Sequence, residues 1–153
     1  MENAYIVAAC RTAIGKSKKG SAIAHVRPDD LLAAVLKEVV KRSGIPAERF
    51  QDCIVGCAFP EAEAGMNVGR IGLLIAGLPD TIPGETVNRF CSSGLDTMAI
   101  LSAKIENNML DIGIAGGVES MSVIPMGGNK TCPNPRLVRE NPRAYTSMGQ
   151  CAD

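Results

Sequence analysis

Cys91 lies where a short β-type run ends and a long helical pattern begins, in the segment Val-Asn-Arg-Phe-Cys-Ser-Ser-Gly-Leu at residues 87–95. The unpaired N–H groups and partial positive charge of a helix N-terminus favour an anion such as a thiolate. Thiolates attack carbonyl carbon and form thioesters. The alternative is a small buried cysteine that only packs. The position therefore indicates a candidate sulfur nucleophile.

The helix predicted after Cys91 is almost entirely apolar. Asp96 is its only charged residue between Ser92 and Ala103, where larger apolar residues alternate with glycine, alanine and serine. Such a helix is typically buried on nearly all sides. We therefore expect a core helix that is entered by a sharp turn from a strand and has the sulfur at its first residue.

This segment resembles the thiolases, specifically the degradative 3-ketoacyl-CoA thiolases, in which Asn-Arg-x-Cys-Ser-Ser-Gly-Leu carries the acylated cysteine. Four further stretches match in the expected order: Ala-Ala-Cys-Arg-Thr-Ala-Ile-Gly at 8–15, Gly-Gly-Val-Glu-Ser-Met-Ser at 116–122, Pro-Met-Gly-Gly at 125–128 and Met-Gly at 148–149. The resemblance runs from about Tyr5 to Asp153. Because family members are much longer, the chain is similar to their N-terminal part.

Short β-branched runs alternate with longer helical patterns along the chain. Helices are predicted after Pro28, with Asp29 and Asp30 as caps, after Asn67 and after Cys91. Strands are predicted at residues 4–9, 52–58, 85–88 and 111–115. This β-α-β-α-β-α-β order predicts an α/β fold with a mixed, largely parallel sheet and helices on both faces.

The resemblance divides the chain into two parts. Residues 1–118 match the N-terminal α/β domain of the thiolase-like fold, and residues 119–153 match the beginning of its inserted loop domain. The second part is rich in proline, and no periodic element is predicted there. In the thiolase fold the last strand of this half follows the loop domain, so the resemblance implies an incomplete half.

The resemblance implies acyltransferase chemistry through an acyl-Cys91 thioester, either thiolytic cleavage of 3-ketoacyl-CoA or the reverse Claisen condensation. The Cys91 N–H is a candidate oxyanion donor. Met148 matches a methionine at the mouth of the family's acyl pocket, where a flexible thioether suits different chain lengths. Coenzyme A and acyl-CoA are expected as substrates, with no permanently bound cofactor and no metal.

General acid and base groups are not evident in the sequence. The only histidine, His25, lies in a polar stretch outside any family motif and is interpreted as a surface loop residue. The family's base histidine and second cysteine belong to Gly-His-Pro and Cys-x-Gly-Gly-Gly motifs, which this sequence lacks. The 153-residue chain alone is therefore expected to be inactive. Glu119 and Ser120 are interpreted as structural.

Composition favours a globular, cytoplasmic protein. The chain is 46% hydrophobic and 21% charged, and sixteen basic residues balance sixteen acidic ones, so no net field favours nucleic acid. Six cysteines without an export signal indicate thiols in a reducing compartment. Cys53 and Cys57 should share a face but lack a second ligand pair for zinc. No membrane partner is expected.

Two other functions stay open at this point. The first is a non-catalytic CoA-binding or assembly protein with the thiolase scaffold, against which the intact Cys91 motif argues. The second is a condensing enzyme such as a ketoacyl synthase, whose motif around the nucleophile differs from residues 88–95. A truncated or split enzyme is preferred, with a homo-oligomer and a companion chain carrying the C-terminal half as expected partners.

Overall fold

A computed structural model describes residues 3–17 and 20–152. Its helices and strands follow in the order α1 (Pro28–Ser43), β1 (Asp52–Gly56), α2 (Val68–Ile75), β2 (Gly84–Val87), α3 (Ser93–Glu106), β3 (Gly113–Gly117), α4 (Pro135–Glu140) and α5 (Met148–Ala152). Single turns of 3-10 helix lie at Ala47–Arg49, Ala62–Ala64 and Pro142–Tyr145. The alternation of helices and strands predicted for the middle of the chain is confirmed.

The three strands form one parallel sheet with β1 in the centre and the order β2-β1-β3. Ile54 of β1 stands opposite Glu85 of β2 and Ala115 of β3. The α/β class and the largely parallel sheet are thus confirmed. The third strand begins and ends two residues later than the predicted range 111–115.

Helices cover both faces of this sheet, as predicted. On one face, Cys53 and Val55 of β1 join a buried cluster with Leu32 of α1 and Leu73 of α2. On the other face, a Cβ atom on Gly56 would lie only 2.5 Å from a backbone carbon at the start of α3. The fold therefore has α1 and α2 on one side of the sheet and α3 on the other.

The first helix begins differently from the prediction. Arg27 is its N-cap residue and makes no side-chain cap bond, while Pro28 occupies the first helical position, where its missing N–H costs nothing. The Asp29 carboxylate instead pairs with the Arg27 guanidinium at 2.7 Å. The predicted capping by Asp29 and Asp30 is therefore wrong. Gly44, with φ at +68°, ends the helix in the left-handed conformation.

The second helix begins where it was predicted. Asn67 is its N-cap residue, and the Asn67 Oδ1 accepts a hydrogen bond from the Arg70 N–H at 3.3 Å. The Asn67 Nδ2 donates to the Gly84 carbonyl at 2.8 Å. One side chain thus caps α2 and joins the helix to β2.

Residues 4–9 do not form the predicted first strand. No strand is assigned within the described residues 3–17, and Tyr5, Ile6 and Val7 are 77%, 74% and 69% exposed. The segment is attached at its end, where the Cys10 thiol donates to the Val35 carbonyl of α1 at 3.3 Å. A strand needs a neighbour for its backbone hydrogen bonds, and a cavity lies beside this segment instead.

The helix after Cys91 is buried on one side only, which corrects the expectation of burial on nearly all sides. Ser93, Thr97 and Leu101 face the sheet and are buried. Leu95 and Met98 are 70% and 44% exposed, because they line a cavity beside β3 and do not pack against another described element.

The last part of the chain is exposed and carries two short helices, although no periodic element was predicted there. The Asn134 Oδ1 accepts hydrogen bonds from the N–H groups of Arg136 and Leu137, and Pro135 occupies the first turn, so local capping suffices for α4. Residues 131–145 are exposed throughout. The division of the chain after residue 118 stays a prediction.

Candidate functional site

The turn between β2 and α3 places Cys91 on the surface. Ser92 is the N-cap residue of α3. Cys91 therefore lies one residue before the cap, whereas it was predicted to be the first residue of the helix. Its side chain is exposed. The preceding Phe90 has φ at +44°, a left-handed conformation that costs a bulky residue roughly 1–2 kcal/mol. The backbone is therefore strained next to the sulfur.

A buried hydroxyl holds this strained turn in place. The Ser93 Oγ accepts the Arg89 N–H at 2.8 Å and donates to the Phe90 carbonyl at 2.5 Å. Ser93 is only 4% exposed. The Ser92 N–H adds a bond to the Arg89 carbonyl at 3.2 Å. Because these bonds pair backbone groups of Arg89, Phe90 and Ser92, they offset the free-energy cost of the Phe90 conformation.

The side chains of Asn88 and Arg89 hold the turn in place through three contacts. The Asn88 Oδ1 accepts the Phe90 N–H at 2.9 Å, and the Asn88 Nδ2 donates to the Ala58 carbonyl at 3.0 Å. The Arg89 guanidinium pairs with the Asp96 carboxylate of α3 at 2.9 Å. Asn88 and Arg89, which belong to the matched motif, therefore stabilise the turn that carries Cys91.

Glycines bring the start of α3 directly onto the ends of the strands. A Cβ atom on Gly117 would lie 3.4 Å from the Gly94 Cα, which repeats the close approach already seen at Gly56. The Glu119 carboxylate, which follows β3, accepts the Ala58 N–H at 2.7 Å and so joins the ends of β1 and β3. Glu119 therefore has a structural role, as expected from the sequence. Apart from the matched motifs, nothing in the sequence predicted the close contacts of the glycines.

The two cysteines in β1 and at its end are chemically protected. Burial, aided by the charge of Asp52, raises the pKa of the Cys53 thiol to about 12. Burial and the nearby Glu119 charge raise the pKa of Cys57 to about 11. Both thiols belong to the same buried cluster, which confirms that they share a face. Neither is available as a thiolate near neutral pH.

Three cysteines are exposed in the described chain, namely Cys91, Cys132 and Cys151. Cys132 lies in an irregular segment before α4, and Cys151 lies inside the short helix α5. Only Cys91 stands immediately before the cap of a long helix that packs on the sheet. Geometry thus singles out the same cysteine as the motif.

Met148 lies in the exposed last part of the chain. Met148 is the first residue of α5 and is 68% exposed. The hydrogen bonds around α5 stay within residues 147–151. Its place at an acyl pocket stays a prediction. His25 is exposed in a turn before α1, in agreement with its interpretation as a surface residue.

Within residues 3–17 and 20–152, no three side chains of His, Cys, Asp or Glu lie close enough together to hold a metal ion. In that same part of the chain, no helix is both long and apolar enough to cross a bilayer.

A family profile described as "Thiolase, N-terminal domain" matches residues 4–148. The chain is 50% identical over 153 residues to a 3-ketoacyl-CoA thiolase of Bacillus subtilis, covering 100% of this chain and 39% of that protein. It is 45% identical over 130 residues to the peroxisomal 3-ketoacyl-CoA thiolase 5 of Arabidopsis thaliana, covering 83% and 28%. It is 41% identical over 126 residues to a beta-ketoadipyl-CoA thiolase of Pseudomonas putida, covering 82% and 31%.

These relatives are much longer than the chain, which spans between 28% and 39% of their length. The profile nevertheless covers the strands, the Cys91 turn and the first residue of α5. The chain therefore belongs to the thiolase family, where it corresponds to the N-terminal domain.

Proposed function

We propose that Cys91 is the nucleophile of a thiolase reaction, the thiolytic cleavage of a 3-ketoacyl-CoA or its reverse. The observation that carries this proposal is the exposed Cys91 sulfur on a strained, hydrogen-bonded turn before α3. The names of the relatives, 3-ketoacyl-CoA thiolase and beta-ketoadipyl-CoA thiolase, support the substrate class.

In the proposed reaction, the Cys91 thiolate forms a bond to the 3-keto carbon of the substrate. The bond between C2 and C3 then breaks, its electron pair leaves with acetyl-CoA as the enolate, and an acid protonates that enolate. The acyl thioester on Cys91 is attacked by the thiolate of a second CoA, which releases the shortened acyl-CoA and the Cys91 thiolate. Sulfur suits both steps because it is a good nucleophile and a good leaving group.

The positive end of the α3 helix dipole favours the negative charge that the sulfur carries before the first step and again after the second step. The amides of Ser92 and Ser93 are occupied by the Arg89 and Phe90 carbonyls, whereas the Cys91 N–H takes no part in these turn bonds. It therefore remains the candidate oxyanion donor. A single such donor contributes about two to three orders of magnitude in rate, so the oxyanion hole requires further groups.

The general acid and the general base of the proposed reaction are not among the residues described around Cys91. His25 is exposed before α1, and none of the hydrogen bonds of the Cys91 turn involves a histidine. We therefore propose that the continuation of the longer relatives, or a companion chain, supplies these groups. We further propose a cytoplasmic protein that forms homo-oligomers, with CoA and acyl-CoA as ligands and no permanently bound cofactor.

The test compares this chain with a fusion in which the remaining part of the Bacillus subtilis relative follows residue 153. Loss of acetoacetyl-CoA in the presence of free CoA is measured for both. We expect turnover by the fusion and none by the chain alone, because catalytic groups that act as a unit are strongly non-additive. Robust thiolysis by the chain alone, or by the fusion carrying Cys91→Ala, would refute the proposal.

A further inference from the structure

The Glu119 carboxylate takes the place of a backbone acceptor at the end of the sheet. The Val118 N–H donates to the Gly56 carbonyl at 2.9 Å, so Gly56 directs its backbone groups toward β3. Because N–H groups alternate in direction along a strand, the Ala58 N–H also points toward β3. It donates at 2.7 Å to the Glu119 Oε2, which lies beyond the last residue of β3. A side chain thus continues the ladder where the strand ends.

The Ala58 carbonyl is bound by the turn that carries Cys91. It accepts the Asn88 Nδ2 at 3.0 Å, and the Asn88 Oδ1 accepts the Phe90 N–H at 2.9 Å. Phe90 is the strained residue immediately before Cys91. Three hydrogen bonds in sequence therefore lead from the Glu119 carboxylate to the residue beside the sulfur, and we call them the Glu119 path.

A second donor holds the same carboxylate in one orientation. The Cys57 thiol, which is 1% exposed, donates to the Glu119 Oε1 at 3.7 Å. Burial and the Glu119 charge raise the pKa of Cys57 to about 11, so this thiol keeps its proton near neutral pH and stays a donor. Because each carboxylate oxygen has its own donor from β1 or its end, Glu119 is fixed relative to that strand.

We propose that Glu119 is a positioning residue for Cys91 and acts through the Glu119 path. Its carboxylate fixes the end of β1, and the end of β1 fixes the Asn88 amide that holds the turn. Such an effect is large when the held group is a nucleophile, because a misplacement of about 1 Å can cost about 10²-fold in rate. The effect on turnover rests on the proposed function of Cys91, whereas the effect on the placement of its sulfur does not.

The opposite end of the same strand pair has a similar link that does not lead to Cys91. The Gln51 Oε1 accepts the Asp111 N–H at 2.5 Å and the Ile112 N–H at 3.1 Å. This link joins the residues before β1 to those before β3, at the amino ends of the strands, whereas Cys91 follows the carboxyl end of β2. Gln51→Ala is therefore a matched control for Glu119→Ala.

The first measurement is the rate at which iodoacetamide alkylates Cys91 in the chain itself. Glu119→Ala should slow alkylation by about two- to fivefold, the size of the helix-end interaction that a displaced sulfur loses. Glu119→Gln keeps an oxygen for the Ala58 N–H and should restore most of the rate. Gln51→Ala should lower the urea unfolding midpoint comparably without slowing alkylation. An unchanged rate in Glu119→Ala, or equal slowing in Gln51→Ala, would overturn the proposal.

A double-mutant cycle tests whether the effect passes through the Glu119 path. Asn88→Ala breaks the path nearer to Cys91. Once the path is broken there, the loss of the carboxylate should have no further effect, so the double variant should be alkylated no more slowly than Asn88→Ala alone. Slowing by the product of the two single effects would mean that Glu119 and Asn88 act independently, which contradicts the proposal.

Turnover separates this proposal from the function on which it rests. In the fusion, Glu119→Ala should lower kcat by about tenfold to a hundredfold with little change in KM, because the nucleophile is misplaced and substrate binding is not. An unchanged kcat, or a loss confined to KM, would contradict the role of Glu119 in turnover. Activity of the Cys91→Ala fusion would refute the nucleophile, and the alkylation rates would still decide whether Glu119 positions the sulfur.

Discussion

At the scale of single residues, the site depends on a bulky side chain held in an unfavourable backbone conformation. Phe90 turns the chain with φ at +44°, and the Ser93 hydroxyl bonds on both sides of it. Strained residues persist where the surroundings over-determine them, and they concentrate at functional sites. The strain at Phe90 directs Cys91 outward while the following residues enter the helix.

The first prediction concerns thiol reactivity. With limiting iodoacetamide near pH 7, Cys91 should be the first of the six cysteines to be alkylated, as mapped by mass spectrometry. Cys53 and Cys57 should stay unmodified until the pH approaches about 11, because burial raises their pKa values to about 12 and about 11. Cys132 and Cys151, which are exposed without a comparable helix start, are the internal controls. Preferential labelling of Cys53 or Cys57 would contradict the assignment of Cys91.

The sequence was enough to propose Cys91 as the reactive cysteine, whereas the geometry that presents its side chain could not be predicted. The motif and the expected strand-to-helix junction were enough to select Cys91. The conformation of Phe90 and the double role of the Ser93 hydroxyl depend on how α3 packs on β1, which no local pattern encodes. Met148 was selected by its motif alone, and its link to Cys91 stays a prediction.

At the scale of elements, the position of Cys91 follows from a close contact between α3 and the sheet. Periodicity was sufficient to predict α1, α2, α3 and the three paired strands, since their patterns are local. It failed for residues 4–9, whose strand-like sequence has no pairing partner beside it. Strand formation depends on a neighbour that can be distant in sequence.

The contact between helix and sheet gives a prediction with a control in the neighbouring strand. Gly56→Ala would place its Cβ 2.5 Å from a backbone carbon of Ser93, so we expect a loss of about 1–3 kcal/mol and slower alkylation of Cys91. Gly116→Ala meets nothing within 4 Å and should change stability by less than about 0.5 kcal/mol. Urea unfolding midpoints measure both variants. An equal loss in the two would contradict the role of the contact at Gly56.

At the scale of the whole molecule, the chain provides a three-stranded sheet and Cys91, the proposed nucleophile. Leu95 and Met98 of α3 are exposed beside the free edge of β3, and residues 131–145 are exposed throughout. The relatives are more than twice as long, with the chain spanning 39% of the Bacillus subtilis protein. We propose that polypeptide corresponding to the rest of these relatives covers the exposed apolar surface and supplies the general acid and base.

The most direct test of the central claim is to locate the acyl group. The chain and its fusion with the Bacillus subtilis remainder are incubated with acetoacetyl-CoA, quenched in acid and digested, and the acylated peptide is identified by mass spectrometry. The account predicts an acyl thioester on Cys91 in the fusion, slow acylation of the same residue in the chain alone, and no adduct in Cys91→Ser. An adduct on any other cysteine that persists in Cys91→Ser, with Cys91 itself unmodified in the wild-type fusion, would contradict it.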